Sequence, residues 1–183
     1  MDPPTWVPPV RRPLARRTTK RRIVQAIPIG GTKFDLSCLG LSLYARRYLK
    51  GARVVRDPDH PGFDPVPYAL YCHSIELSLK AFLWIRRGRT IKQLKDDYSH
   101  RLNQLWRDAG AAGLGSAGVS LTPARHKVIR DASTYHSDRL REFQYMNAIK
   151  TATGHPGLPD IEVLDRLAAR LDHVVHPLAV AHA

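Results

Sequence analysis

The chain has 183 residues, 43% of them hydrophobic, and a formal net charge of +13 at pH 7. This length and hydrophobic content predict one packed domain with room for a tail, and the excess positive charge favours polyanionic partners. No apolar run approaches the roughly 20 residues that a bilayer-spanning helix needs, so we expect no membrane association. Two cysteines without a pairing pattern predict buried thiols in a cytoplasmic protein, and neither a disulfide scaffold nor a zinc site.

Residues 1–33 have the composition of a disordered basic tail. They carry eight basic groups and one acid, and several early prolines disfavour a helix. We expect this Pro/Arg-rich segment to contact phosphates without sequence preference and with strong salt dependence. The arginines concerned are Arg11, Arg12, Arg16, Arg17, Arg21 and Arg22. A solvated tail, a partner-docking tail and a segment for targeting or for a membrane surface remain alternatives.

The next part of the sequence predicts two helices of different character. The first is expected to begin at Asp35 as N-cap and to end at Lys50, before Gly51. Its predicted inward face consists of Leu36, Leu39, Leu43 and Tyr44. The second is expected to run from Pro65–Pro67 to Gly88 and is apolar on most sides, which predicts a place at the centre of a bundle. Its predicted inward stripe consists of Tyr68, Cys72, Ile75, Leu79 and Phe82.

Three further helices follow, separated by loops. The third is expected to begin after Asp97 or Ser99, and the fourth at Thr122-Pro123. Their predicted inward residues are Leu102, Leu105, Trp106 and Ala109, then Val128, Ile129, Ala132 and Tyr135. The last is capped by Asp160 and is expected to end at Pro177. The predicted fold is therefore all-α, an antiparallel helical bundle of four to five helices over residues 34–176, with a short tail over 177–183.

The second helix carries a small set of polar residues on one side. Glu76 and Lys80 are four residues apart with the acid first, the favourable order for an ion pair, and His100 is expected to complete a network. Two interpretations stay open, a structural pair that sets the register of the bundle and a polar pocket for a nucleotide or a second subunit. His73 and Glu76 form a two-ligand face for a metal, but no matching pair marks another helix. We therefore expect no metal and no cofactor.

The segment from Pro67 to Leu105 resembles the HEPN superfamily (higher eukaryotes and prokaryotes nucleotide-binding). The resemblance is carried by YALYCHSIELSLKAFL at residues 68–83 and YSHRLNQL at residues 98–105. Residues 140–145 and the closing helix are also similar to one branch of these proteins. The resemblance spans roughly residues 34–176 and implies a compact helical bundle, usually bacterial or archaeal and often a homodimer. It also implies a role as an RNA-cleaving toxin, a defence or stress effector, or a partner of a nucleotidyltransferase or antitoxin.

Active HEPN nucleases carry Arg-x4–6-His, in which arginine stabilises phosphate charge and histidine transfers a proton without a metal. Four pairs match here: Arg53/His60, Arg130/His136, Arg166/His173 and Arg170/His176. Such matches also arise by chance in a chain so rich in both residues. Arg130 and His136 lie on a predicted helix and are the candidate catalytic pair. Asp131 counts against them, because it would place negative charge beside the phosphate.

We therefore expect a HEPN-like domain that binds RNA or a nucleotide-related partner without catalysis, in a bacterial defence, toxin–antitoxin or stress context. Two alternatives remain. One is a metal-independent endoribonuclease that uses Arg130 and His136. The other is a protein-interaction subunit with no nucleic-acid role.

Overall fold

A computed structural model describes residues 37–60, 63–137 and 157–183. Within these ranges the chain forms six helices and no strand, which confirms the prediction of an all-α bundle. They are α1 (Cys38–Val55), α2 (Pro65–Arg87), α3 (Ile91–Tyr98), α4 (Leu102–Ala111), α5 (Pro123–His136) and α6 (Ile161–His182). The predicted tail with its six arginines, the Asp35 cap, Leu36 and the segment 140–145 lie outside the described residues. No helix in the described ranges is long and apolar enough to cross a membrane.

Helix α2 lies at the centre, as its composition predicted. It packs against α1, α6 and α4, and its apolar side chains are fully buried on several sides. Asp64 caps its first turn by accepting a hydrogen bond from the Val66 amide. Gly88 ends it in the left-handed conformation, with φ of 60°. Burial of each large apolar side chain contributes about 1.5–3 kcal/mol, so this helix is the main source of the hydrophobic core.

Helix α1 is longer at its C-terminal end than predicted. It begins after Ser37, whose hydroxyl accepts a hydrogen bond from the Gly40 amide, and it continues through Gly51 to Val55. The prediction that Gly51 ends this helix was wrong. The segment after Gly51 stays helical because Ala52 is fully buried in the core that α1 shares with its neighbours.

The predicted inward face of α1 was also wrong. Leu43 and Tyr44 are 46% and 38% exposed, whereas Ala45 and Ala52 are buried. Small side chains let α1 approach α2 closely enough for the Ser74 hydroxyl to donate to the Ala45 carbonyl at 2.9 Å. The buried side of α1 is thus marked by small residues. The prediction followed the large apolar residues and therefore chose the wrong side.

The region after α2 contains one helix more than predicted. Helix α3 begins at a capping box in which Thr90 and Gln93 satisfy each other's backbone amides. Helix α4 begins at Leu102, three residues after Ser99, and no side chain caps it. Its predicted inward residues are confirmed, since Leu102, Leu105, Trp106 and Ala109 are all fully buried.

The last two helices begin where their capping residues predicted. Thr122 and Asp160 accept hydrogen bonds from the first turns of α5 and α6. Pro177 does not end α6, which continues to His182. Val175 and Ala179 are buried on either side of Pro177, and this packing holds the last turn although proline supplies no amide hydrogen.

Candidate functional site

A carboxylate is buried inside the bundle. Glu76 on α2 is 2% exposed, and one turn later Lys80 is 9% exposed. The Lys80 ammonium donates to Glu76 Oε1 at 2.6 Å and to the Ser99 carbonyl at 2.8 Å. A buried charge without a partner is strongly destabilising, so the two side chains depend on each other.

Two imidazoles hold the second oxygen of Glu76. His136 Nε2 lies 2.8 Å from Oε2, and His100 Nδ1 lies 3.1 Å from the same atom. An ionised carboxylate only accepts hydrogen bonds, so each ring donates its proton here. In the neutral ring the other nitrogen, His136 Nδ1 or His100 Nε2, is then the proton acceptor. Glu76 therefore selects the tautomer of both rings.

A third imidazole completes the group. The ring of His73, on α2, has its centroid 6.0 Å from that of His100 and 5.6 Å from that of His136. The His100 and His136 centroids are 5.7 Å apart, so the three rings form a nearly regular triangle. The ring of Tyr48, on α1, lies 4.8 Å from His73. His73, Glu76, Lys80, His100 and His136 are called the histidine cluster below.

The histidine cluster sets the protonation of two of its members. Burial by itself would raise the pKa of Glu76, but hydrogen bonds from His100 and His136 and the charge of Lys80 outweigh it and hold that pKa well below its ordinary value. Burial lowers the pKa of His73, and the charge of Glu76 only partly offsets this. At neutral pH the cluster therefore contains an ionised Glu76 and an uncharged His73.

The turn between α3 and α4 positions two parts of the histidine cluster. Ser99 has a φ of 45°, which a residue with a side chain rarely adopts and which stores about 1–3 kcal/mol of strain. This turn presents the Ser99 carbonyl to Lys80 and places His100 next to Glu76. These contacts with Lys80 and Glu76 hold the turn in its strained conformation. The turn is therefore part of the site.

The structure brings the four residues of the predicted polar network together. It adds His136, which was predicted as half of a catalytic pair. Lys80, His100 and His136 each contact Glu76, and the ring of His73 lies beside those of His100 and His136. A signal for His136 was present, since it follows Ala132 by four residues on the inward face of its helix. The Arg-x4–6-His spacing instead suggested a pair with Arg130.

Arg130, the other half of the candidate catalytic pair, lies apart from His136. Its side chain is 67% exposed and its guanidinium Nε is 3.8 Å from Asp131, whereas His136 is 3% exposed. Six residues along a helix correspond to roughly 120° of rotation and about 9 Å of rise between them. One side chain therefore faces solvent and the other faces the core.

The site also contains a set of potential metal ligands. The ligand atoms of His73, Glu76 and His136 all lie within 4.8 Å of one another. His73 and Glu76 lie on α2 and His136 lies on α5, so the fold supplies a third potential ligand from a second helix.

No family model matches the chain, and neither a curated protein nor a solved structure is significantly similar to it. Fold and site together define the class of protein, a helical bundle with a buried carboxylate that is surrounded by a lysine and three imidazoles. The resemblance to the HEPN superfamily stays a prediction.

Proposed function

We propose that this chain is a HEPN-like helical domain that binds RNA or a nucleotide-bearing partner without cleaving it, in a bacterial defence, toxin–antitoxin or stress context. The observation that supports it most is the partly exposed side of the histidine cluster. His73, His100 and Tyr48 all reach the surface of a strongly basic chain. Aromatic rings of this kind stack on the bases of unpaired RNA, and their ring nitrogens hydrogen-bond to bases or phosphates.

Charge on the helix that carries Tyr48 supports the same proposal. The outward side of α1 lines a surface groove in which four of the eight lining residues are basic, although Arg46 and Arg53 also form ion pairs with Asp172 and Asp165. The basic residues are Arg46, Arg47, Lys50 and Arg53. Positive side chains on the surface attract the RNA backbone and raise the local concentration of the ligand.

The proposal is tested by a fluorescence-anisotropy titration of labelled single-stranded RNA with the full-length protein in EDTA. We expect binding that weakens steeply with salt, while a denaturing gel shows intact RNA. His73→Ala should weaken binding several-fold, whereas His173→Ala, an exposed histidine of α6, should leave it unchanged. Absence of binding at low salt, or equal binding by the His73→Ala variant, would contradict a role for the histidine cluster in RNA binding.

One observation favours a metal-independent endoribonuclease as a second candidate. Glu76 accepts hydrogen bonds from His100 and His136 and so orients both rings, and the partly exposed His100 is the one that a phosphodiester can reach as a general acid or base. This candidate predicts cleavage in EDTA that His100→Ala abolishes. Arg130→Ala should leave cleavage unchanged, because that side chain is turned to solvent. Intact RNA at high protein concentration would exclude it.

A further inference from the structure

Three side chains of the histidine cluster are arranged almost as they would be around a metal ion. His136 Nε2 and Glu76 Oε2 are 2.8 Å apart in a hydrogen bond, and the proton of this bond would move to His136 Nδ1 when a metal takes its place. The ligand atom of His73 completes a group in which no separation exceeds 4.8 Å. Ligands bound to zinc at about 2.0–2.2 Å lie roughly 3.3–3.6 Å from one another in a tetrahedral site. A shift of about 1 Å, within reach of a rotamer change at the partly exposed His73, is enough to reach that geometry.

The chemistry of the ligands favours one class of metal. Two imidazoles and one carboxylate suit zinc and its first-row neighbours better than magnesium or calcium, which prefer oxygen. Three protein ligands also leave a coordination position open. His100 Nδ1 also lies 3.1 Å from Glu76 Oε2, the oxygen assigned to the metal.

Lys80 does not contact the Glu76 oxygen that is assigned to the metal. Its ammonium holds Oε1 and is itself anchored by the Ser99 carbonyl, so Oε2 is the atom that faces the imidazoles. Such an outer partner orients a ligating carboxylate and keeps it ionised. The positive charge of Lys80 also opposes a dication, so we expect weaker binding than in a closed structural zinc site.

We propose that the histidine cluster binds one divalent transition-metal ion of the zinc class through His73, Glu76 and His136. The inference depends on the geometry of these residues and not on the proposed RNA binding. A metal here would hold α5 against α2 and would polarise a water molecule at the open position.

The experiment uses the untagged full-length protein, freed of metal with EDTA and then desalted. Titration with Co²⁺ is followed by the visible absorption of the bound ion, and Zn²⁺ is then added to displace it. We expect saturation at one equivalent with an intense four-coordinate spectrum. His73→Ala should bind Co²⁺ at least tenfold more weakly, and the exposed-residue control His173→Ala should match the wild type.

A second set of measurements tests whether the variants remain folded. Zn²⁺ should raise the Tm of the wild type and of His173→Ala but not that of His73→Ala, while circular dichroism shows equal helix content in all three. Absence of stoichiometric Co²⁺ binding by the wild type, or unchanged binding by His73→Ala, would overturn the proposal. RNA binding is measured in EDTA, where no metal is bound, and metal binding is measured without RNA. Each proposal can therefore fail without the other.

Discussion

Glu76 shows at the scale of one residue how a charge is kept inside this bundle. Its two oxygens are contacted by three side chains, with Lys80 on Oε1 and both His100 and His136 on Oε2. A polar network that is fully satisfied rigidifies a core, whereas one that is partly satisfied destabilises it. The position of α2 relative to α4 and α5 is thus specified by polar contacts as well as by apolar packing.

Removal of this charge should destabilise the protein strongly. Glu76→Gln leaves the ammonium of Lys80 buried without its carboxylate, and we expect a loss of about 3–5 kcal/mol in the free energy of unfolding. Urea denaturation of both proteins measures the difference. The matched control is Asp131→Asn, which breaks the exposed pair with Lys127 and should change stability by less than about 1 kcal/mol.

The double variant Glu76→Gln/Lys80→Met separates charge from shape. It removes both ions of the buried pair, so no uncompensated charge remains, and we expect it to be more stable than Glu76→Gln alone. A double variant as unstable as the single one would show that the loss comes from the hydrogen bonds to the imidazoles.

The lowered pKa of His73 predicts that the free energy of unfolding depends on pH. Its pKa in the folded state lies below the ordinary value of 6.5, because burial disfavours the charged ring. The unfolded chain therefore binds more protons in this range, so the contribution of His73 is present above pH 6.5 and is lost as the pH falls towards the lower folded pKa. Glu76, whose pKa is also lowered, adds a further loss only below about pH 4.5.

Urea denaturation from about pH 7.5 to about pH 5.5 should show a falling free energy of unfolding, with a smaller fall in His73→Gln. His173→Gln, at an exposed position, serves as the control and should follow the wild type. Equal slopes in the wild type and in His73→Gln would show that the neutral ring of His73 does not contribute to stability.

At the scale of the helix, two glycines have opposite roles. Gly51 lies inside α1, and an added Cβ would meet only Leu70 Cδ1 at 3.9 Å, an ordinary contact. Gly88 ends α2 with a φ of 60°, a conformation that an L-residue adopts at a penalty. Helix propensity favours alanine at the first position and backbone strain disfavours it at the second.

We therefore expect Gly51→Ala to stabilise the protein by about 0.5–1 kcal/mol, and Gly88→Ala to destabilise it by about 1–2 kcal/mol. Thermal denaturation of the two variants provides the measurement, and each serves as the control for the other. Destabilisation by Gly51→Ala would show that the added methyl group is not accommodated against Leu70.

The remaining helices differ in how clearly their sequences indicate where they begin. Helices α2, α5 and α6 have caps or prolines at their first turns and apolar residues at helical spacing, so their starts were predicted. Helix α3 has eight residues, of which only Leu94 and Tyr98 are buried, and so short a pattern was not recognised. Its capping box at Thr90 and Gln93 was the signal available in the sequence.

At the scale of the whole molecule, charge is the property most relevant to RNA binding. Eight basic groups and one acid give residues 1–33 a net charge of +7 out of the total of +13. Contacts of arginine with single-stranded nucleic acid release counterions, so the logarithm of the affinity falls with the logarithm of salt by about 0.7 for each contact.

Replacement of six tail arginines in the full-length chain tests this contribution. Glutamine at positions 11, 12, 16, 17, 21 and 22 should weaken RNA binding at low salt and reduce the steepness of the salt dependence by up to about 4. Anisotropy titrations at several salt concentrations give both values. An unchanged slope would show that the tail does not contact RNA and would leave the groove on α1 as the basic surface concerned.

The sequence by itself determined the class of fold, the central place of α2 and the pairing of Glu76 with Lys80. Each of these depends on residues close together in the chain, whose spacing and capping are readable without coordinates. Only the tertiary structure decided which side of α1 is buried, brought His136 to Glu76 and turned Arg130 away from it. These outcomes depend on which faces of helices distant in sequence meet, and that follows from how closely small and large side chains pack.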